Sequence, residues 1–244
     1  MTDIVSTVRA ELGPGRKLRA GINYSNFVLV RKDPVSGEPR GVAADLAREV
    51  ARRLDLQLEF VPFETAGHLA DAVKSGAWDI AFLANEPERA SEILFTPAYL
   101  EIEAGYLVPS GSSIQSIAEV DREGVRVAVG AKSAYDLFLS RTLRYATLVR
   151  APAMNASYDV FVSERLNALA GIKPWLVTAA EGLPGSRLLD GHFMTVQQSI
   201  GLPPGRDSAA KYLREFIQDV KASGFLDRAT RSFDLPGVSI PNGE

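Results

Sequence analysis

The sequence predicts an α/β protein with mostly parallel sheets. Two observations carry this prediction. Strand-sized apolar runs alternate with segments of helical periodicity, which is typical of βαβ units. The composition, with 46% hydrophobic and 23% charged residues, is that of an ordinary globular protein rather than a disordered or fibrous one. At 244 residues the chain suits two small domains or one large domain, and either can bury a core.

The first 84 residues show this alternation clearly. Apolar residues at helical spacing within residues 1–19 predict a short amphipathic helix. The predicted strands are residues 17–22, 56–61 and 79–84, and the predicted helices are residues 41–54 and 67–75. Residues 33–39 hold two prolines and Ser36-Gly37, so we expect a turn or hairpin tip between the first strand and its helix.

A second series of elements begins near Gly111, after a predicted strand at residues 105–108 and a turn at residues 109–111. The predicted strands of this series are residues 125–129, 147–149, 158–162 and 193–202, and the predicted helices are residues 133–143, residues 163–170 and a helix from Ser208. That last helix places its apolar residues on one face, as a helix packed on a core does. The order of elements therefore predicts two successive α/β regions.

The composition also excludes several classes of function. The chain has no Cys, which rules out disulfide scaffolds, thiol catalysis and thiolate metal sites, and only two His, which disfavours histidine-rich metal sites. A formal net charge of -3 argues against nucleic-acid binding. No apolar run reaches the roughly 20 residues that span a bilayer, and residues 1–19 lack the apolar core of a secretory signal. We therefore expect no metal, no cofactor and no membrane span.

Seven short strings occur in one order over the first 130 residues. They are KLRAG (17–21), GVAADLA (41–47), KSGAWDIA (74–81), PERA (87–90), FTPAY (95–99), LVPSGSS (107–113) and VRVAVG (125–130). In this order and spacing they resemble the bacterial extracellular solute-binding proteins of family 3, which are the amino-acid-binding proteins of ABC importers. The C-terminal half resembles the family through Tyr158-Asp159-Val160 and KASGFL at 221–226.

The resemblance implies the type II periplasmic-binding-protein fold, in which two α/β lobes are joined by two crossover strands. Lobe 1 would be residues 1–107 plus 196–244, and lobe 2 would be the inserted residues 108–195. A small ligand, an amino acid or another small carboxylate, would bind in the interlobe cleft, and hinge motion would close the lobes. The family also implies an ABC permease as partner and a periplasmic location, for a chain that we expect to be a monomer.

Arg89 is the first candidate site residue. Pro87 suits the first position of a helix, which puts Arg89 in the first turn, where a cation opposes the helix dipole. The guanidinium could form a surface pair with Glu86, Glu88 or Glu92, or it could clamp a ligand carboxylate with two parallel hydrogen bonds. The resemblance favours the clamp, because the Arg of the family's PER-type motif binds the ligand's α-carboxylate.

A second anion site is expected in the turn from Gly130 to Ser133. This turn follows a strand and opens a helix, so its N–H groups could form a concave anion cradle with Ser133 as N-cap and Lys132 beside it. The alternative is an ordinary tight turn with a solvated lysine. The family usually has hydroxyl residues here, so Lys132 is a departure that points toward a more anionic ligand.

Six further residues are assigned to the ligand site by the resemblance. Glu164 lies where the family often has an Asp that pairs with the ligand's α-amino group, although it also suits a helix's first turn. Tyr24, Asn26 and Phe27 replace a segment that lines the side-chain pocket, and a core or surface role is equally open for the aromatics. Phe82 and Ala84 stand where the family commonly has small or hydroxyl residues of the carboxylate shell.

The leading hypothesis is a solute-binding protein that captures an amino acid or another small carboxylate without chemical change. One alternative is an enzyme on the same fold, such as a cyclohexadienyl-dehydratase-like lyase, with Glu103 or Glu164 as proton donor. A second alternative is a cytoplasmic ligand-sensing module, because no signal segment is evident. Glu101 and Glu103 would otherwise form an exposed strand edge, and neither His68 nor His192 fits a catalytic triad.

Overall fold

The computed structural model describes residues 4–231 and 235–241. The helices are α1 (Ile4–Leu12), α2 (Val42–Arg53), α3 (Ala66–Asp71), α4 (Pro87–Ala90), α5 (Ala134–Thr142), α6 (Met154–Ser163), α7 (Lys173–Glu181), α8 (Asp207–Ala222) and α9 (Phe225–Thr230). The strands are β1 (Lys17–Asn23), β2 (Arg31–Lys32), β3 (Pro39–Arg40), β4 (Gln57–Phe63), β5 (Ile80–Ala84), β6 (Leu94–Phe95), β7 (Leu100–Val108), β8 (Arg126–Gly130), β9 (Thr147–Ala151), β10 (Ala168–Ile172), β11 (Arg187–Leu188), β12 (Met194–Leu202) and β13 (Val238–Ser239).

The chain divides into two compact units. Unit 1 comprises Met1–Leu100, Gln197–Asp234 and Ile240–Glu244, and unit 2 comprises Glu101–Val196 and Leu235–Ser239. The sequence-based division assigned residues 101–107, 196 and 235–239 to the first lobe, whereas their contacts group them with unit 2. Residues 235–239 belong to unit 2 because β13 pairs with the beginning of β7.

Unit 1 is built on the parallel strands β4, β1 and β5. The unit-1 part of β12 runs antiparallel to β5, and β6 pairs with it in turn. The helices bury one apolar face each, as their periodicity predicts. The larger buried residues are Val42, Leu46 and Val50 of α2 and Leu213, Phe216, Ile217 and Val220 of α8. The predicted hairpin tip is confirmed, because β2 and β3 pair around the turn at Asp33.

Unit 2 repeats the arrangement with different partners. Strands β10, β8 and β9 are parallel, and β7 runs antiparallel to β10. The short strands β11 and β13 add to β7. The prediction of α/β architecture with mostly parallel sheets is thus confirmed.

The region from Met154 to Ile172 differs from the prediction. Residues 158–162 belong to helix α6 and not to a strand, and residues 168–170 belong to β10 and not to a helix. The buried residues of α6, Ser157 and Phe161, are four apart, which is the spacing of one helix face. All five residues of β10 are buried, as in a parallel strand covered on both faces. Helix α7, which follows β10, was not predicted.

The N-terminal amphipathic helix is confirmed as α1, which buries Val8 and Leu12. The first three residues of the segment in which it was predicted lie outside the described residues. Of the helices within residues 4–231 and 235–241, none combines the length and apolar character that crossing a membrane requires.

Candidate functional site

The carboxyl edge of unit 1 is the side of its sheet at which the parallel strands β1, β4 and β5 end. Ligands of open α/β sheets bind at such edges. The segments that continue from β1 and β5 are the turn after Asn23 and helix α4 after Ala84. Five of the predicted site residues lie in or next to these segments, and Phe82 lies within β5.

Arg89 is a buried cation at this edge. Helix α4 begins at Pro87, as predicted, and it holds Arg89 with only 6% of its surface exposed. The Nη1 atom donates a hydrogen bond of 3.1 Å to the backbone oxygen of Ala84, at the end of β5. Burial lowers the pKa of Arg89 to about 10, although nearby Glu86 and Glu88 oppose this effect. Arg89 is therefore protonated at neutral pH. Its burial disagrees with a pair on the protein surface, whereas Glu86 is itself buried, with 3% of its surface exposed, and its charge favours the protonated guanidinium.

The turn after β1 is shaped by its own asparagines. The side chain of Asn23 accepts hydrogen bonds from the backbone and hydroxyl of Ser25, and Asn26 accepts one from the backbone N–H of Val28 at 3.2 Å. Tyr24 is half-buried, and the ammonium of Lys32 lies 5.0 Å from its ring centre. Asn26 thus has a structural role in this turn, while the half-buried rings of Tyr24 and Phe27 keep partly accessible faces.

Phe82 and Ala84 contribute differently from the prediction. The ring of Phe82 is 1% exposed and packs edge-on against Tyr99 at 6.1 Å, so it belongs to the core of unit 1. Ala84 is buried as well, and its contribution is the backbone carbonyl that accepts the hydrogen bond from Arg89.

The predicted anion cradle in unit 2 has its N–H groups occupied by the protein itself. The backbone N–H of Ala131 donates to Ala151, and that of Ser133 donates to Gly130. The N–H of Lys132 donates to the carboxylate of Asp136 at 2.8 Å. Ser133 is the N-cap of α5, as predicted, because its hydroxyl accepts a hydrogen bond from the backbone of Asp136 at 3.0 Å. The anion that this turn holds is therefore an internal carboxylate.

Asp136 is the centre of a local network. Its carboxylate is buried and accepts a hydrogen bond of 2.9 Å from Nε of Arg150, whose Nη2 reaches the hydroxyl of Ser140 at 2.7 Å. Lys132 has a left-handed backbone, with φ of 56°, which an L side chain adopts at some energetic cost. This network of internal hydrogen bonds holds the turn in this shape.

Glu164 lies at the edge of the unit-2 sheet where strand β8 begins, opposite the edge that carries the turn with Lys132 and Ser133. It caps the C-terminus of α6, and its carboxylate pairs with Arg126, the first residue of β8. The turn with Lys132 and Ser133 follows the last residue of the same strand, Gly130. A strand of five residues separates the two positions by about 13 Å. The structure therefore does not bring Glu164 together with the other residues predicted for unit 2.

A cluster of Lys173, Glu103 and His192 was missed by the sequence reasoning. The ammonium of Lys173 contacts the Glu103 carboxylate, and Nδ1 of His192 lies 3.2 Å from the other carboxylate oxygen. The hydrogen bond from Lys173 is the main reason why the pKa of Glu103 is lowered. No local pattern could have revealed the cluster, because the lysine and the glutamate are 70 residues apart. Glu103 had been expected to form an exposed edge.

Other candidate sites are weaker. Across the described ranges, no group of three or more His, Asp or Glu side chains could hold a metal ion. An open pocket of about 770 Å³ lies on unit 1 beside the β2–β3 hairpin. Two of its arginines pair with its own carboxylates, Arg40 with Asp33 at 2.7 Å and Arg48 with Asp45 at 3.2 Å. None of the predicted site residues is among the described residues that line it.

Comparison with known protein families finds one that matches most of this chain. Residues 18–233 match the family described as bacterial extracellular solute-binding proteins, family 3. Comparison with curated protein sequences finds no match.

Among solved structures, the solute receptor for L-cysteine of Neisseria gonorrhoeae is similar, with a TM-score of 0.79 at 20% identity over 96% of this chain and 94% of that chain. The amino acid ABC transporter substrate-binding protein AbpA of Streptococcus pneumoniae, bound to L-arginine, has a TM-score of 0.75 at 20% identity over 91% and 95% of the two chains.

An ancestral amino acid-binding protein, a precursor of cyclohexadienyl dehydratase, has a TM-score of 0.76 at 22% identity over 91% of this chain and 97% of that chain. At these identities the likeness concerns the fold, which is the type II fold of periplasmic binding proteins. The match over residues 18–233, together with this fold, identifies the chain as a member of the bacterial extracellular solute-binding proteins, family 3.

Proposed function

We propose that this chain is the solute-binding component of an ABC importer and that it binds a small carboxylate-bearing molecule without changing it chemically. Membership in the family supports the binding role. Amino acids are the first ligands to test, because structural relatives are described as binding L-cysteine and L-arginine. The observation that carries the carboxylate assignment is the buried guanidinium of Arg89 at the carboxyl edge of unit 1.

Removing a cation from water carries a desolvation penalty, which lowers the pKa of Arg89 even though the charges of Glu86 and Glu88 oppose this shift. A carboxylate that reaches the guanidinium offsets it, and the planar fork of Arg suits two parallel hydrogen bonds to one carboxylate. The hydrogen bond to Ala84 fixes the side chain against β5, so little rotamer freedom remains to be lost on binding. Arg89 is thus preorganised as a carboxylate clamp.

The other predicted residues take revised roles in this proposal. Tyr24 and Phe27 cover the apolar part of the ligand from unit 1. Lys132 and Ser133 contribute an ammonium and a hydroxyl from unit 2, since the N–H groups of their turn are occupied. Glu164 is left out, because it lies at the opposite side of the unit-2 sheet.

The partner and location follow from the same proposal. An ABC permease receives the ligand, and the protein acts in the periplasm. Cell fractionation checks the location, because a cytoplasmic sensing module would be absent from a periplasmic extract.

Isothermal titration calorimetry of the purified chain against amino acids, hydroxy acids and dicarboxylates tests the clamp. We expect Arg89→Lys to weaken the best ligand at least 100-fold, because an ammonium is a point charge and cannot form the two-pronged contact. Arg19→Lys is the matched control. The guanidinium of Arg19 also binds a carboxylate through two hydrogen bonds, that of Asp79. Because Asp79 lies just before the beginning of β5, at the other edge of the sheet, we expect the loss of this contact to lower stability and to leave ligand affinity unchanged. Equal affinities for both variants and the wild type would rule out the clamp.

A dehydratase is the second candidate, since one structural relative is a precursor of such an enzyme. That reaction needs a protonated carboxylic acid as proton donor. Glu103 fits poorly, because Lys173 lowers its pKa and keeps it ionised at neutral pH. Incubation with prephenate or arogenate decides the matter: we expect no turnover.

A further inference from the structure

The Lys173–Glu103–His192 cluster lies at the carboxyl edge of unit 2, where the parallel strands β8, β9 and β10 end. Lys173 is the residue directly after β10, and Glu103 precedes Ala104, the residue of β7 that pairs with the end of β10. The Glu103 carboxylate is shared between the Lys173 ammonium and Nδ1 of His192. Nε2 of His192 in turn lies 3.4 Å from the hydroxyl of Thr195. Both carboxylate oxygens therefore have partners within unit 2.

Gly237 makes room for the Lys173 side chain. A Cβ at Gly237 would lie 3.0 Å from Cδ of Lys173 and 3.1 Å from Cβ of Glu103, so a side chain there would press on both partners. A Cβ at Gly105 would lie 3.9 Å from two carbons of the same lysine, which is an ordinary contact distance, so the lysine side chain also packs beside this position. The carbonyl of Gly237 also accepts a hydrogen bond of 2.7 Å from the backbone of Glu103. The pair is built into the fold, with 19% of the Lys173 side chain and 31% of the Glu103 side chain exposed.

The carboxylates beside the ends of β8 and β10 are thus both neutralised internally. Asp136 holds Arg150 and the N–H of Lys132, and Glu103 holds Lys173 and His192. A ligand ammonium needs a carboxylate partner when it is removed from water. To reach Glu103 it would have to displace Lys173, and the displaced ammonium would lose its own partner. Replacing the Lys173 ammonium by a ligand ammonium at Glu103 therefore gives no net gain in binding free energy.

We propose that Lys173 occupies the ammonium position of this site permanently, so that the preferred solute is a small carboxylate without an amino group, such as a hydroxy acid or a dicarboxylate. The inference rests on the proposed function and narrows its ligand class. A hydroxyl or a second carboxylate can accept from Lys173, whose ammonium has three N–H donors and contacts Glu103 with one of them. The cationic side chain of Lys132 on the same edge favours the same class.

Calorimetry on matched pairs of ligands tests the proposal with the full chain. Each pair contains an amino acid and its 2-hydroxy counterpart: alanine and lactate, aspartate and malate, glutamate and 2-hydroxyglutarate, leucine and 2-hydroxyisocaproate, and phenylalanine and phenyllactate. For the best-bound pair we expect the hydroxy acid to bind at least tenfold more tightly than the amino acid. This comparison needs no variant, so it does not depend on any variant folding.

Lys173→Met then tests the role of the lysine. Methionine keeps an unbranched stem between the glycines and frees Glu103, so the amino acid should gain at least tenfold relative to its hydroxy counterpart. Lys211→Met removes one ammonium from an exposed position on α8 and should leave the ratio unchanged. An amino acid that binds the wild type as tightly as its hydroxy counterpart overturns the inference, and so does a ratio that is the same in Lys173→Met and the wild type. If no carboxylate in the panel binds the wild type, the proposed function itself is overturned.

Discussion

Each unit has a buried aspartate next to a strand of its parallel sheet, and these two aspartates lie at opposite edges of their sheets. In unit 1 this aspartate is Asp79, which lies just before β5. It accepts hydrogen bonds from the backbone and guanidinium of Arg19 at 2.9 to 3.0 Å, and Arg206 reaches it at 3.3 Å. In unit 2 the buried residue is Asp136, which fills the turn after β8 at the carboxyl edge.

This difference determines which charged groups lie at the carboxyl edge of each unit. Unit 1 pairs Asp79 with two arginines at the amino edge and has a buried cation, Arg89, close to the buried Glu86 at the carboxyl edge. Unit 2 uses Asp136 and Glu103 at the carboxyl edge itself, where they hold the turn and the lysine. One architecture thus places a buried guanidinium at the carboxyl edge of unit 1 and two carboxylates with internal partners at the carboxyl edge of unit 2.

The largest stability effect is expected from Asp79→Asn. It removes the charge that faces two arginines while leaving them in place, and breaking a buried ion pair in this way costs about 3 to 5 kcal/mol. Urea unfolding of the variant and the wild type measures this. Asp55→Asn is the matched control, since Asp55 pairs with Arg16 on the surface and should cost less than about 1 kcal/mol. Equal losses for the two variants would show that burial does not matter here.

A smaller loss is expected from Asp136→Asn, about 2 to 3 kcal/mol, because Asp136 faces one arginine that is half exposed instead of two. The same urea measurement applies. Glu164→Gln removes an exposed ion pair from unit 2 and serves as the control, with an expected loss below about 1 kcal/mol. A loss at Asp136 as large as that at Asp79 would contradict the proposed ranking of the two networks.

The smallest effect is expected from Lys132→Gly. The backbone at Lys132 has φ of 56°, and glycine relieves this strain, although it also makes the unfolded chain more flexible. The two effects partly cancel, so we expect a gain of about 0.5 kcal/mol in the free energy of unfolding. Thermal and urea unfolding measure it, with Lys132→Ala as a control that should bring no gain. A loss of stability in Lys132→Gly would show that the lysine side chain itself holds the turn.

Residues with local signals were predicted well. Pro87 set the beginning of α4, and Ser133 set the cap of α5, because both effects involve neighbouring residues of the chain. The region of α6 and β10 was wrong, since short apolar runs such as residues 158–162 fit a strand or a helix equally well until their packing is known. That error also shifted the expected surroundings of Glu164.

The sequence by itself determined the α/β architecture, most of the helices and strands, and the family resemblance, because periodicity, turn residues and short motifs act over a few residues. Only the tertiary structure decided which charges meet. Arg206 reaches Asp79 across 127 residues, and Lys173 reaches Glu103 across 70. Asp136 is close in sequence to the turn that it fills, yet its choice of the Lys132 N–H and Arg150 depends on how α5 packs beside β9. Packing brings such groups together and removes them from water, and that is what sets their charge partners.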